Sequence, residues 1–214
     1  MNRLPADFRL YLVTDRPLCL GRDLLDIVRR AVAGGAKMVQ LREKSLSTRE
    51  FVDLARAVKL ILAGTGVPLI VNDRVDVALA SEADGVHVGQ SDMDVADVRA
   101  LVGPKAIVGL SVERMDQVLE VRDLNVDYLG VGPVLPTATK ADACPAWGFD
   151  GLARACAAAK LPVVAIGSMG AETAAKARMA GAKGVAVVSA ICSASDPAKA
   201  AARILEAWSG PDLA

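Results

Sequence analysis

Short Val/Ile/Leu-rich runs recur along the chain, and longer segments of 3.6-residue hydrophobic periodicity lie between them, the pattern of strands alternating with helices. Eight apolar runs stand out, at 10–14, 37–41, 69–72, 85–88, 106–111, 128–131, 163–166 and 184–188. Helical periodicity occupies 24–33, 49–62, 117–124, 152–159, 171–180 and 197–208. Two of these helices also carry start signals. Ser47-Thr48-Arg49-Glu50 is a capping box, in which the serine hydroxyl satisfies an orphan backbone N–H and the glutamate reaches back. Asp196-Pro197 sets a cap residue before a proline at the first helical position.

This alternation predicts βαβ units with right-handed crossovers and therefore a parallel sheet. A weak internal repeat narrows the choice. GGAKMVQL at 34–41, EADGVHVG at 82–89, NVDYLGVG at 125–132 and AGAKGVAV at 180–187 each join a helix end to a strand. Repeats about two βα units apart suit the quarters of a closed barrel better than an open sheet, whose edge strands would differ from central ones. No linker-like stretch divides residues 1–214. The expected fold is α/β, a single (β/α)8 TIM barrel of near-minimal length, with a doubly wound sheet as the alternative.

Composition agrees and excludes several functions. With 53% hydrophobic residues among 214 the chain can bury one substantial core, and with only 3% aromatics that core is built from Val, Leu, Ile and Ala. Lys+Arg and Asp+Glu are each 25, and no basic run is interleaved with aromatics, which argues against a nucleic-acid partner. Cys19, Cys144, Cys156 and Cys192 form no CxxC pair and are expected to be reduced thiols rather than zinc ligands. The N-terminal segment lacks the apolar core of a signal peptide, and no apolar run approaches the length of a membrane span. A soluble, cytoplasmic protein acting on small molecules is expected; homo-oligomerisation is left open.

In such barrels the active site lies at the carboxyl ends of the strands, so the residues that follow each apolar run carry the functional signal. The second run leads into Gln40, Arg42 and Lys44, the third into Asn72, Asp73 and Arg74, and the fourth into Gln90, Ser91 and Asp92. The fifth ends at Ser111, the sixth feeds a loop with Thr137, Thr139 and Lys140, the seventh ends in Ile166-Gly167-Ser168 and the eighth in Val188-Ser189. Gly167, Ser168 and Ser189 suit a phosphate held by backbone N–H groups near the last two strands. Arg42, Lys44 and Lys140 add cations to a mouth with few carboxylates, which implies a polyanion and two phosphate-bearing groups. Asp73 and Asp92 follow consecutive strands and can converge on one hard cation such as Mg2+, although either can serve instead as a turn or cap residue. Asp76, Asp84 and Asp94 read as caps or surface charges. His87 lies inside the apolar GVHV run, so a packed position in the barrel is expected rather than a general base. No Ser/His/Asp set and no GxGxxG after the first strand is present, so hydrolase and dehydrogenase readings lack support.

The order VTD, VQLREK, IVNDRVDVALA, ADGVHVGQSDM, VGLSV, DYLGVGPVLPTATK, PVVAIG and GVAVVSAI resembles the thiamine-phosphate synthase family along nearly the whole chain. QLREK, ND, GQxD and PTxTK carry the resemblance together. It implies a (β/α)8 barrel that joins a hydroxymethylpyrimidine diphosphate to a thiazole phosphate with Mg2+, through a pyrimidine-stabilised cation and without a protein nucleophile. It places Gln40, Arg42, Lys44 and Asn72 on the pyrimidine diphosphate and makes Asp73 and Asp92 the Mg2+ ligands. Ser111 and Lys140 are implied near the pyrimidine and its leaving group; Thr137, Thr139, position 168 and the Val188-Ser189 backbone are implied around the thiazole phosphate.

One departure matters. The family usually has two glycines where this chain reads Ile166-Gly167-Ser168-Met169, and serine keeps the N–H but adds a side chain, with strain if φ is positive. Its hydroxyl is a candidate phosphate donor, and retained activity with altered thiazole-phosphate affinity is expected. The 137–149 loop is expected to close over the mouth, with Cys144 and Trp147 packing. A thiazole tautomerase-like paralogue and a non-catalytic binder of thiamine precursors are the alternatives; the complete motif set fits both poorly.

Overall fold

A computed structural model of the chain describes residues 3–121, 124–137 and 144–210. Eight parallel strands pair in chain order: β1 (Leu10–Val13), β2 (Met38–Leu41), β3 (Leu69–Asn72), β4 (Gly85–Val88), β5 (Ile107–Val112), β6 (Tyr128–Val131), β7 (Val163–Ile166) and β8 (Gly184–Val187). β8 returns to β1 with Leu12 opposite Val187, so the sheet is closed and has no edge strand. The fold is the (β/α)8 barrel and not the doubly wound alternative.

The α-helices among the described residues are α1 (Leu24–Ala33), α2 (Thr48–Leu62), α3 (Val75–Ala80), α4 (Val95–Val102), α5 (Met115–Glu120), α6 (Gly148–Ala158), α7 (Ala171–Met179), the one-turn α8 (Ser189–Cys192) and α9 (Pro197–Ser209). Both start signals act as written. Ser47 Oγ accepts from the Glu50 N–H at 3.4 Å while the Glu50 carboxylate accepts the Ser47 N–H at 2.9 Å. Asp196 Oδ1 accepts the N–H groups of Ala198 and Lys199, each at 3.1 Å. The periodicity at 117–124 is displaced in the structure, because Gln117 Oε1 accepts the N–H groups of Glu113 and Arg114 and so sits within the first turn of α5. α3, α4 and α8 are too short to show a full apolar stripe, and the sequence pattern leaves them unread.

Alternation along each strand divides the core into two layers. Inside the barrel pack Tyr11, Val13, Met38, Ile70, Ile107, Tyr128, Val164 and Ala186. Outside it, Leu10, Leu12, Val39, Leu41 and their counterparts meet the helices, which is why aliphatic residues dominate. At the amino ends of the strands the buried Arg99 of α4 donates to the carbonyls of Gly103, Ala106 and Asn125 and pairs with Asp127 at 2.9 Å. A buried guanidinium with every arm occupied braces this end of the barrel, which leaves the carboxyl ends for chemistry.

Candidate active site

The carboxyl ends of the strands open into a cavity of about 580 Å3. Of the described residues singled out from the strand ends, Gln40, Arg42, Lys44, Asn72, Asp73, Asp92, Ser111, Thr137, Gly167, Ser168, Val188 and Ser189 line it, as do Gln90 and Ser91, whereas Arg74 pairs instead with Asp76 and Thr48. Thr139 and Lys140 lie outside the described residues, as does the middle of the 137–149 loop on which closure was expected. A second depression, of about 770 Å3, sits at the opposite end between Arg3, Lys59, Lys105 and the turn at 62–68. It meets strand starts such as Ile107, where barrels of this type keep stability rather than chemistry.

The cationic side of the mouth is positioned by the end of β1. Thr14 Oγ1 accepts the Arg42 backbone N–H at 3.0 Å, and Asp15 Oδ2 holds the Arg42 guanidinium at 2.8 Å. The VTD triplet therefore places Arg42, a role invisible until β1 and β2 pair with Val13 opposite Gln40. Lys44 Nζ reaches Asp73 Oδ2 at 2.6 Å, and Arg16 pairs with the buried Glu43 carboxylate at 2.8 Å. The expectation of a mouth poor in carboxylates needs correcting, since Glu113 lines it and Asp15 pairs with its Arg42 in addition to the two expected aspartates.

Those two aspartates come from consecutive strands and meet. Asp73 adopts a left-handed backbone, φ 60°, with its N–H bonded to the His87 carbonyl at 2.8 Å. Asp92 Oδ2 accepts the Gly89 N–H at 2.7 Å, so it serves as a turn residue as well. Partial burial pushes the Asp92 pKa above the usual carboxylate range, the Gly89 N–H pulls it down, and the Asp73 carboxylate beside it pushes it up again. Adjacent carboxylates that repel one another are what a divalent cation relieves. No set of three His, Cys, Asp or Glu ligands gathers among the described residues, so the donors fit a hard ion that completes its shell with water and phosphate oxygens rather than a protein-caged zinc.

Across the cavity, the end of β7 turns through Gly167 (φ 103°) and Ser168 (φ 52°). A Cβ on Gly167 would lie 2.7 Å from Pro133 Cα, so only glycine fits there. Ser168, where the resemblance implies a second glycine, holds a conformation that strains an L residue by about 1 kcal/mol. Its hydroxyl, the candidate phosphate donor, donates instead to the Pro136 carbonyl at 2.6 Å and tethers the start of the 137–149 loop. In the same loop Cys144 Sγ donates to Glu113 Oε2 at 3.3 Å, while Trp147 packs against the outer core as expected. All four cysteines are free thiols.

The floor of the cavity is a row of hydrogen bonds across five strands. Gln40 Nε2 donates to the Tyr11 hydroxyl (2.9 Å), which meets the Tyr128 hydroxyl (2.8 Å), which meets His87 Nδ1 (2.9 Å); His87 Nε2 meets Ser111 Oγ (2.8 Å). Gly109 lies opposite both His87 and Tyr128 in the sheet, and a Cβ there would collide with both rings. His87 is inside the barrel, and burial lowers its pKa to about 4. Burial raises the tyrosine pKa values, so all three rings are neutral at neutral pH. Sequence reading singled out the two ends of this row, Gln40 and Ser111; the tyrosines look like ordinary core residues until register aligns them.

A neutral buried histidine has a consequence for folding. The unfolded chain takes up a proton near pH 6.5, but the folded chain does so only near pH 4. Stability therefore falls as pH drops from about 6.5 to about 4 and levels off below that, a loss of roughly 3 kcal/mol from this group. Urea unfolding at pH 7 and pH 4 is expected to show a difference that His87→Gln reduces by that amount.

No helix among the described residues is long and apolar enough to cross a membrane. The profile of the family described as thiamine monophosphate synthase matches residues 10–191, from β1 through α8. A thiamine-phosphate synthase of Solidesulfovibrio magneticus is 60% identical over 199 residues, covering 93% of this chain and 94% of the relative. One of Albidiferax ferrireducens is 51% identical, covering 94% and 92%. Among solved structures, the thiamine phosphate pyrophosphorylase of Pyrococcus furiosus superposes with a TM-score of 0.86 at 34% identity, covering 97% of this chain and 96% of its own. A 3-hexulose-6-phosphate synthase, at 19% identity and a TM-score of 0.67, shares the fold. With its profile spanning all eight strands and relatives alike nearly end to end, the chain belongs to the thiamine monophosphate synthase family.

Proposed function

We propose that this chain joins 4-amino-2-methyl-5-hydroxymethylpyrimidine diphosphate to 4-methyl-5-(2-phosphoethyl)thiazole, or its carboxylated form, giving thiamine phosphate and diphosphate with Mg2+. The observation that carries the reading is the two-sided cavity. Arg42, Lys44 and the Asp73/Asp92 pair stand on one side, the Gly167-Ser168 turn on the other, and Ser111 on the floor. One anionic group is accommodated at each side, with the two rings between them.

The bond from the pyrimidine methylene carbon to the diphosphate oxygen breaks, and its electron pair leaves with the diphosphate. The thiazole nitrogen then donates its lone pair to the same carbon. Arg42 and Lys44 stabilise the leaving charge by exchanging Asp15 and Asp73 for phosphate oxygens. Bound between Asp73 and Asp92, Mg2+ would neutralise further charge on the diphosphate. Gln40, Asn72 and Ser111 orient the pyrimidine, and the backbone at 167–168 and 188–189 orients the thiazole phosphate. The neutral floor of Tyr11, Tyr128 and His87 offers no charged nucleophile to intercept the cation before the thiazole nitrogen reaches it.

Incubating the purified protein with both phosphorylated precursors and Mg2+ is expected to yield thiamine phosphate and one equivalent of diphosphate, with the reaction stopping on chelation and resuming on Mg2+ addition. No product at saturating substrate overturns the reading; product formation indifferent to chelation overturns the Mg2+ part. Ser168→Gly relieves the strained turn and releases Pro136, and a change in KM for the thiazole phosphate of about fivefold, with kcat little altered, is expected from about 1 kcal/mol. An unchanged KM removes position 168 from the phosphate site.

A further inference from the structure

We infer that the Gln40 amide sets the direction of the hydrogen-bonded row through Tyr11, Tyr128 and His87, so that Ser111 meets the substrate as a hydrogen-bond donor. The inference rests on the synthase reading only in naming the pyrimidine as the ring whose acceptor atom Ser111 meets.

The direction follows from counting protons. Each phenol has one, the neutral imidazole has one, and the seryl hydroxyl has one. Gln40 Nε2 donates to Tyr11, so Tyr11 spends its own proton on Tyr128. Tyr128 in turn spends its proton on His87 Nδ1, which leaves the imidazole proton on Nε2, where it is donated to Ser111 Oγ. The Ser111 proton is then directed away from the imidazole, on the side of the cavity that Ser111 lines. Were the amide turned so that its oxygen met Tyr11, every bond would reverse and Ser111 would present lone pairs alone. The row is sealed against competing water: Tyr11 is 1% exposed, Tyr128 0%, Gln40 5% and His87 7%. The strands make room for it with Gly109, opposite both rings, and with Gly130, where a Cβ would stand 3.1 Å from His87 Cε1. Tyr11, Tyr128 and His87 are thus positioning residues, acting through the group that touches substrate.

His87 is the single histidine of the chain, so its imidazole nitrogens can be read by 15N NMR in the intact protein without assignment ambiguity. At pH 7 and without substrates, the proton is expected on Nε2 with Nδ1 unprotonated. Gln40→Glu, whose carboxylate only accepts, is expected to move the proton to Nδ1. Tyr128→Phe cuts the row and is expected to give a tautomer mixture and a roughly tenfold loss in kcat/KM. An Nδ1 proton in the unaltered protein, or in Tyr128→Phe a tautomer and activity both unchanged, overturns the inference; the first two readouts need no turnover. Thiamine phosphate formed by a protein with the wrong tautomer would discard the inference and keep the synthase reading.

Discussion

Asp92→Asn is expected to lower kcat/KM by about a thousandfold while the melting temperature moves by no more than about 4 °C. The asparagine oxygen can still accept the Gly89 N–H that Asp92 Oδ2 accepts at 2.7 Å, so the turn after β4 persists. What disappears is one of the two charges that would hold Mg2+ against the departing diphosphate, an effect of several kcal/mol in metal-assisted reactions. Steady-state kinetics across a Mg2+ titration, with thermal melts of the same samples, separates the two quantities. Activity within tenfold of the unaltered protein at saturating Mg2+ would remove Asp92 from the cation site. Acid approaches the same loss reversibly. Because burial and Asp73 hold the Asp92 pKa above the ordinary carboxylate range, Mg2+ affinity is expected to weaken at a higher pH than an exposed carboxylate would give.

Gly109→Ala is expected to destabilise the protein by about 3 kcal/mol and to reduce activity along with it. The new methyl group would occupy the space where the Tyr128 ring and His87 Nδ1 meet, in a barrel interior with no flexible neighbour to yield. One ring must leave its rotamer, and the hydrogen bond between them goes with it. For a chain of this size the melting temperature falls by roughly 6–12 °C. Gly64→Ala is the useful comparison: nothing lies within 4 Å, but φ is 76°, so the expected penalty is only about 1 kcal/mol. Equal destabilisation by the two substitutions would show that Gly109 is not a space-making residue.

The strands were legible because a parallel barrel buries them on both faces, and all eight observed strands begin and end within one residue of an apolar run. The short helices were not. VDVALA in α3 reads as alternation, and α8 has a single turn, too little for any stripe. The mouth was legible by a positional rule, which needs only the residue after each strand. Asp15 escaped because its partner Arg42 lies on another strand and no spacing announces the pair. The interior position of His87 was legible, but its link to Tyr11 and Tyr128 escaped for a different reason. Each sits within a strand, where period-two patterning says "inside" and nothing more, and only the pairings His87 to Gly109 and Gly109 to Tyr128 bring the polar tips of His87 and Tyr128 together. Ser168 shows the converse. The missing glycine flagged the position and its positive φ, but the bond to Pro136 depends on how the loop after β6 folds back over β7.

The ion pairs at the mouth also bear on which anions can enter. Arg42 and Lys44 already have Asp15 and Asp73 as occupants, in a protein whose net charge is zero, so an incoming anion meets placeholders rather than a bare positive field. On the proposed reading, binding becomes a substitution, one carboxylate exchanged for one phosphate oxygen at each cation. Such an exchange depends less on ionic strength than capture by naked cations does. It also sets a preference. On the proposed reading, a multiply charged diphosphate competes with an aspartate held at hydrogen-bond distance far better than a monovalent ion such as chloride does, so the resting mouth favours the substrate over the commonest anions of its solvent.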